Sequence, residues 1–156
     1  MLCDENGYIV KVNFIEKILA TTLAKLSNFI PEGGIWMNTQ RPEWNDANNA
    51  LVGNGVSMVT LYYLRRFLNF FKDVLANVGT EKFEVSEEIA DFFNRLASTL
   101  KTNQHLLSGR IDDKNRKRVL DGLAQAGSDY RDQIYTHAFS GRKKVITAAD
   151  IKDFIA

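Results

Sequence analysis

The sequence predicts an all-α fold of about five helices, packed as a bundle or as an array of αα-hairpins. Apolar residues recur at three- and four-residue spacing along most of the 156-residue chain, which is the spacing of one helix face. Residues that cap helix ends stand just before several of these segments. The stretch 7–13 is short and rich in β-forming residues, and we interpret it as extended because no second convincing strand is available to pair with it.

The first predicted helix covers 14–29, and its apolar residues recur at helical spacing. Asn13 precedes it and is a favourable N-cap residue, because its side chain can accept a hydrogen bond from a free backbone N–H group. The same periodicity places Glu16 and Lys17 on the solvent-facing side.

A long loop at 31–45 and a long helix from Asp46 to Asn77 are predicted next. Gly53 and Gly55 indicate a kink, a close helix–helix contact or a break into two helices. After these glycines the apolar residues leave little polar face, which is typical of a helix buried between neighbours. We therefore expect this segment to be the central helix of the bundle.

Three further helices follow from their start signals. Ser86 is expected to cap the third helix, and the acidic pair 112–113 to begin the fourth. Thr147, with Asp150 three residues later, resembles a capping box and begins a last helix at 148–155.

Length and composition favour a single globular domain over residues 1–156. The hydrophobic fraction is 45%, the charged fraction is 25%, and the net charge of +1 provides no field that would attract nucleic acid, a membrane surface or an acidic partner. The single cysteine excludes an intramolecular disulfide and a cysteine-based zinc site. The two histidines are far apart, so we assign no metal, and no phosphate-binding glycine loop indicates a cofactor.

The apolar run at 56–78 is interrupted by Arg65, Arg66 and Lys72, which argues against a membrane span. The first residues are acidic where a signal peptide would be basic and then apolar. The basic clusters at 114–118 and 142–144 have acidic neighbours, and we interpret them as solvated helix faces and not as a nucleic-acid site. We expect a cytoplasmic protein.

The stretch 40–51 combines residue types that suit neither a packed core nor a plain surface loop. It holds the carboxylates Glu43 and Asp46 beside Trp44, together with three asparagines and an arginine. Burying unpaired carboxylates and amides costs a few kcal/mol each, and a solvated loop has little use for a tryptophan. A binding or catalytic loop is the interpretation that uses all of these residues.

The sequence Trp44-Asn45-Asp46, with two glycines upstream and a long helix downstream, resembles the Asp-Trp-Asn-Asp loop of cellobiose phosphorylase and related glycoside-active enzymes. Those enzymes carry the loop in an (α/α)6 barrel. The resemblance implies that Asp46 is the general acid that protonates the glycosidic oxygen and that Trp44 lines the sugar subsite. Glu43 stands where the family has Asp, and we group it with Asp46 as a candidate catalytic residue.

The remaining candidates for substrate binding are Asn45, Asn48 and Arg41, and Arg41 could hold phosphate or a sugar hydroxyl. A complete barrel needs about 200 residues or more, so the resemblance implies that this chain is a segment of a larger catalytic barrel. The implied ligands are a saccharide and, in a phosphorylase, phosphate.

Structural roles compete with each of these assignments. Asp46 could be an ordinary N-cap that accepts backbone N–H groups, which would lower its pKa where a general acid needs a raised one. Trp44 could anchor the loop to the core, and Arg41 could pair with Glu43 or Glu32.

Two classes of function therefore stay open. The first is a glycoside hydrolase or phosphorylase-like protein that acts by general acid catalysis, for which no motif supplies the second catalytic group. The second is a non-enzymatic helical domain for protein interaction or oligomerisation. A barrel segment would expose apolar faces that the missing helices would cover, so we expect homo-oligomers or a missing barrel segment as the partner.

Overall fold

A computed structural model describes the chain at residues 3–38 and 54–156. The described residues combine helices with two small antiparallel sheets, so the all-α prediction is wrong and the fold is mixed α/β. The helices are α1 (Phe14–Leu26), α2 (Met58–Asn77), α3 (Glu87–Thr102), α4 (Asp113–Asp132) and α5 (Ala148–Ile155). The strands are β1 (Phe29–Ile30), β2 (Gly34–Asn38), β3 (Asn54–Ser57), β4 (Lys82–Ser86) and β5 (Lys143–Thr147).

The first sheet has the order β1-β2-β3, and it occupies sequence that was predicted as loop and helix. Ile35 of β2 pairs with Ser57 of β3, and Met37 pairs with Gly55. Gly34 has a φ of +142°, and a Cβ atom there would lie 2.9 Å from Val56 Cγ1. Gly34 thus permits the close approach of two strands. The predicted continuous helix to Asn77 is interrupted by β3, and α2 begins at Met58.

The second sheet pairs β4 with β5, which are far apart in sequence. Phe83 lies opposite Ile146. Phe83 and Val85 are buried while Lys82 and Glu84 are exposed, which is the two-residue alternation of a half-buried strand. That alternation is present in the sequence, but its partner strand lies beyond two intervening helices.

The main core lies between α1, α3, α4, α5 and the β4–β5 sheet. Its most deeply buried side chains come from different elements and include Leu23, Val85, Leu96 and Leu123, each with 0% exposure. Burial of such side chains is the largest favourable contribution to folding.

Helix α1 begins as predicted, because Asn13 Oδ1 accepts a hydrogen bond from the Glu16 N–H at 2.8 Å. The expected solvent exposure of Glu16 is wrong, since only 2% of this residue is exposed. Lys143 of β5 supplies a cation 3.3 Å from Glu16 Oε2. A buried carboxylate is tolerated when a cation pairs with it, and this cation comes from the far end of the chain.

Helix α2 is not the buried central helix that the sequence predicts. Phe71 and Leu75 are its only buried residues. They belong to the core, where α2 packs against β2 and α5. Ser57 caps its start by accepting a hydrogen bond from the Thr60 N–H at 3.1 Å.

The later helix starts were predicted correctly. Asp112 caps α4 by accepting a hydrogen bond from the Asn115 N–H at 2.7 Å. Thr147 and Asp150 form the complete capping box of α5. Ser86 stands at the N-cap position of α3 but makes no side-chain cap bond there.

None of the helices in the described ranges combines the length and the apolar character needed to cross a membrane.

Candidate functional site

The predicted carbohydrate site lies outside the described residues. This holds for all six candidates, namely Arg41, Glu43, Trp44, Asn45, Asp46 and Asn48. Glu32, one of the proposed partners of Arg41, does lie in the described part and pairs with Arg116 at 2.5 Å. The hydrogen bond from Arg116 holds the pKa of Glu32 below its usual range, with a further contribution from the Ile111 N–H.

The most prominent surface feature of the described residues is a row of exposed apolar side chains on α2, which we call the α2 stripe. Its exposed members are Val59, Tyr63, Phe67 and Phe70. Val74 continues the row but is half-buried and packs against the core, and Val78 follows at the C-cap. Tyr63 is 67% exposed and Phe70 is 63% exposed. Large aromatic side chains of this exposure on one face indicate a binding surface.

The stripe lies beside the face that α2 buries and adjoins it at Val74 and Phe67. At about 100° per residue, the five helical members fall within about 80° of one another around the helix axis. Their spacings of four, four, three and four residues are those with which two helices pack side by side. Phe67 joins the two faces, because its ring stacks on buried Phe71 with the centroids 5.8 Å apart.

The positions of the stripe residues are symmetric along the helix. Phe67 and Phe70 lie at equal distances from a point between residues 68 and 69, and so do Tyr63 and Val74. Val59 and Val78 continue the same symmetry. A helix with this arrangement presents apolar side chains at the same positions when it is turned end to end, and Tyr63 and Val74 are the pair whose side chains differ.

Charged residues border one edge of the stripe. Arg66 and Asp73 both lie on this edge, both are exposed, and neither forms an ion pair within the described part of the chain. Asp91 of α3, another candidate acid for Arg66, pairs with Lys144 at 2.8 Å. The edge thus holds two unlike charges available to a neighbouring molecule.

A cleft of about 740 Å³ lies between three elements: the end of α3, the start of α4, and α5. Its walls are mainly apolar. Asn103, one of the three amide side chains in its lining, accepts a hydrogen bond from Arg118 and donates one to the Thr99 carbonyl. Glu32 in the lining is held by Arg116. The cleft therefore has the volume of a ligand site, but none of its lining residues carries a buried polar side-chain atom without a hydrogen-bond partner.

In the fold, basic residues of the clusters at 114–118 and 142–144 form ion pairs with acidic residues. Arg142 pairs with Glu87, Lys144 bridges Glu87 and Asp91, and Lys117 pairs with Asp121. These contacts neutralise much of the local positive charge.

No family model matches this sequence, and no curated protein matches it significantly. The glycoside-enzyme resemblance consequently stays a prediction from residues 44–46. The α2 stripe was missed because apolar residues on nearly every side of α2 were interpreted as complete burial. The 3–4 spacing of a second stripe beside that of Phe71 and Leu75 is the signal that could have found it.

Proposed function

We propose that this chain is a protein-interaction domain that self-associates through the α2 stripe, with a second copy of the chain as the partner. The exposed, symmetric row of apolar side chains on α2 is the observation that supports the proposal. A surface that meets an identical surface across a two-fold axis must be complementary to itself. The end-to-end symmetry of the stripe satisfies that condition.

The two helices pair in antiparallel orientation. With the two-fold axis between residues 68 and 69, Phe67 of one copy meets Phe70 of the other, and Tyr63 meets Val74. The aromatic rings then stand at the centre of the interface, where the side chains that dominate binding energy are usually found. The valines close the two ends.

Charge favours the same orientation. In an antiparallel pair, residues on one edge of a helix face residues on the same edge of its partner. Arg66 of one copy then lies near Asp73 of the other, offset by about 3 Å along the axis at 1.5 Å of rise per residue. The symmetry generates this contact twice, and the net charge of +1 adds little long-range repulsion between copies.

The available area predicts a reversible dimer. A Tyr or Phe side chain offers about 200 Å², so the exposed parts of the three aromatic residues supply roughly 650 Å² from two copies. Stable interfaces bury about 1,200–2,000 Å² in total, so the aromatics give at most about half of the smallest stable interface, even when their exposed area is fully buried. An interface of this size dissociates on dilution.

The orientation is tested by exchanging the two edge charges. Sedimentation velocity over a concentration series should show the mass rising from monomer to dimer. Arg66→Asp and Asp73→Arg should each weaken the dimer, because each places like charges opposite one another twice. The double variant should recover the wild-type midpoint, since the exchanged charges again attract.

A monomer at every concentration would refute self-association. If the wild type dimerises but the double variant does not recover the wild-type midpoint, the antiparallel geometry is refuted and self-association is not. Protection of Tyr63 from hydroxyl-radical labelling in a monomer would instead indicate that another part of the chain covers the stripe.

The carbohydrate-active hypothesis is a separate proposal that rests on Trp44, Asn45 and Asp46. It assigns proton donation to Asp46 and the sugar subsite to Trp44, with a saccharide and phosphate as ligands. The proposed cytoplasmic location suits both functions.

A further inference from the structure

The cleft of about 740 Å³ between the end of α3, the start of α4, and α5 is bounded by core side chains that are only partly buried. We call it the α3–α5 cleft. Its half-buried apolar side chains come from four elements: Phe29 of β1, Leu100 of α3, Leu106 of the short 3₁₀ helix Gln104–Ser108, and Phe154 of α5. Because these elements surround one space, the cleft is a concave apolar site and not the flat face of a single helix.

The mouth of the cleft holds an apolar side chain that is left in solvent. Leu107 lines the cleft although 79% of it is exposed, the largest fraction for any large apolar side chain within residues 3–38 and 54–156. A molecule in the cleft would cover area that water now contacts there. Removing apolar area from water favours binding, so the cleft and its mouth together favour an apolar occupant.

The charged side chains that line the cleft leave no excess of either sign. Glu32 is held by Arg116. Asp150 is engaged in the capping box of α5. Lys101 and Asp153 are both exposed, and neither forms an ion pair within the described part of the chain. A charged ligand of either sign would thus meet one unpaired like charge beside one unlike charge, so charge complementarity favours an uncharged ligand.

Two neutral side chains supply the remaining hydrogen-bonding groups of the lining. Asn94 and Gln104 are exposed, and their amides form no hydrogen bond among residues 3–38 and 54–156. An amide both donates and accepts, so it suits a hydroxyl or carbonyl group. An ionised group is bound most strongly by a partner of opposite charge, which an amide does not provide.

We propose that the α3–α5 cleft binds an uncharged, mainly apolar small molecule, whose apolar body packs against Phe29, Leu100 and Phe154. A hydroxyl or carbonyl group of this molecule lies near the amides of Asn94 and Gln104. The volume is within the range of small-molecule sites, and such sites are mainly apolar with a few polar groups that orient the ligand. None of the lining residues belongs to α2, so binding here is independent of the α2 stripe.

Three biphenyls that differ in one substituent are the probes. Biphenyl-4-methanol is neutral, biphenyl-4-carboxylate is an anion, and biphenyl-4-methylammonium is a cation. Aromatic probes suit the lining, because Phe93 and Phe154 lie at 54° with their ring centroids 5.0 Å apart and offer both ring edges and faces. Calorimetry at neutral pH should show the alcohol binding at least fivefold tighter than either ion.

The position of the bound alcohol is read from backbone amide resonances. Leu107 and Gly109 both line the cleft, and their resonances should shift with the calorimetric midpoint. The resonance of Tyr63, on the α2 stripe, should not shift at that midpoint. The measurement therefore separates binding in the cleft from binding to the other apolar surface of the molecule.

Ala97→Phe adds a ring to the lining of the cleft and should weaken binding of the alcohol at least tenfold. Ser98→Phe is the matched control, because it adds the same ring to the next residue of α3, which is exposed and outside the lining. It should change the affinity by less than threefold. Leu107→Asn should weaken binding at least threefold, and the high exposure of Leu107 means that the fold does not depend on it.

Equal or tighter binding of either ion would overturn the proposal, because a charged side chain and not the apolar wall would then govern the site. Absence of saturable alcohol binding, or binding that leaves Leu107 and Gly109 unshifted, would overturn it as well. So would a folded Ala97→Phe variant that binds like the wild type. If Ala97→Phe does not fold, unchanged binding by Leu107→Asn is the refuting result. Sedimentation tests the dimer separately, so failure of one proposal leaves the other standing.

Discussion

Phe70→Ala is the sharpest test of the α2 stripe, because Phe70 lies near the proposed two-fold axis and contributes to the interface twice. Its side chain is 63% exposed in the monomer. At about 200 Å² per Phe side chain, each copy presents roughly 130 Å² of it to a partner. If about half of that area is buried in the pair, two copies lose about 3 kcal/mol at ~25 cal/mol per Å².

A loss of about 3 kcal/mol raises the dissociation constant about 100-fold. Sedimentation equilibrium at several loading concentrations measures this shift directly. The free energy of unfolding of the monomer should change by less than about 0.5 kcal/mol, because the truncated ring is mostly in solvent there and alanine favours a helix.

Phe14→Ala is the matched control. Phe14 is 70% exposed, close to the exposure of Phe70, and it lies on α1. Truncation of Phe14 should leave the dimer midpoint within about threefold of the wild type. Equal effects of the two truncations would refute the stripe as the contact, and no effect of Phe70→Ala would remove it from the interface.

Three further expectations test other parts of the chain. Gly34→Ala should lower the free energy of unfolding by about 1–3 kcal/mol in urea denaturation, since φ is positive there and Val56 is too close, whereas Gly79→Ala, with open space around it, should not. Because the Arg116 hydrogen bond lowers the pKa of Glu32, the stabilisation by this pair is present above pH 4.5 and is lost as the pH falls through the lowered value. Arg116→Met should remove that part of the acid dependence of unfolding, and an unchanged acid profile would contradict the assignment. A saccharide that binds at Trp44 should quench tryptophan fluorescence saturably, and Trp44→Ala should abolish the quenching; a folded wild-type protein that responds to none of a panel of mono- and disaccharides, with or without phosphate, would count against the carbohydrate hypothesis.

The helix starts could be predicted because their determinants are local. Asn13, Asp112 and Thr147 each bond to a backbone group three residues ahead, so the sequence window that forms the cap is also the window that displays it. The sheets could not be predicted in the same way. The pairing of Phe83 with Ile146 depends on a partner far along the chain.

The burial of a charged or apolar residue was equally hard to predict where it depends on residues that are distant in the sequence. Glu16 was expected in solvent because its helix face is polar, yet Lys143 from β5 makes its burial possible. The aromatic residues of α2 were expected to be buried because hydrophobic side chains usually are, yet residues 3–38 and 54–156 bury only one face of that helix. The candidate site was predicted in the loop 31–45 and the start of the helix that follows it. The structure describes part of that loop as β2, but all six proposed catalytic and binding residues lie outside the described residues.

The β4–β5 ribbon has a consequence for the order in which the molecule assembles. Helix α3 begins at one end of the ribbon and α5 at the other, and each start is completed by the opposite strand's end. The Glu87 N–H donates to the Arg142 carbonyl at 3.1 Å, and the Ala148 N–H donates to the Glu81 carbonyl at 2.8 Å. These bonds satisfy backbone groups that a helix leaves free at its first turn.

Pairing of β4 with β5 joins the chain before α3 to the chain after α4. Contacts between such distant segments form late, because closing the intervening chain costs conformational entropy. The α3–α4 hairpin can form from local contacts alone. The first turns of α3 and α5 each acquire one further backbone hydrogen bond when β5 docks. Formation of the β4–β5 ribbon is therefore coupled to the stabilisation of the first turns of both α3 and α5.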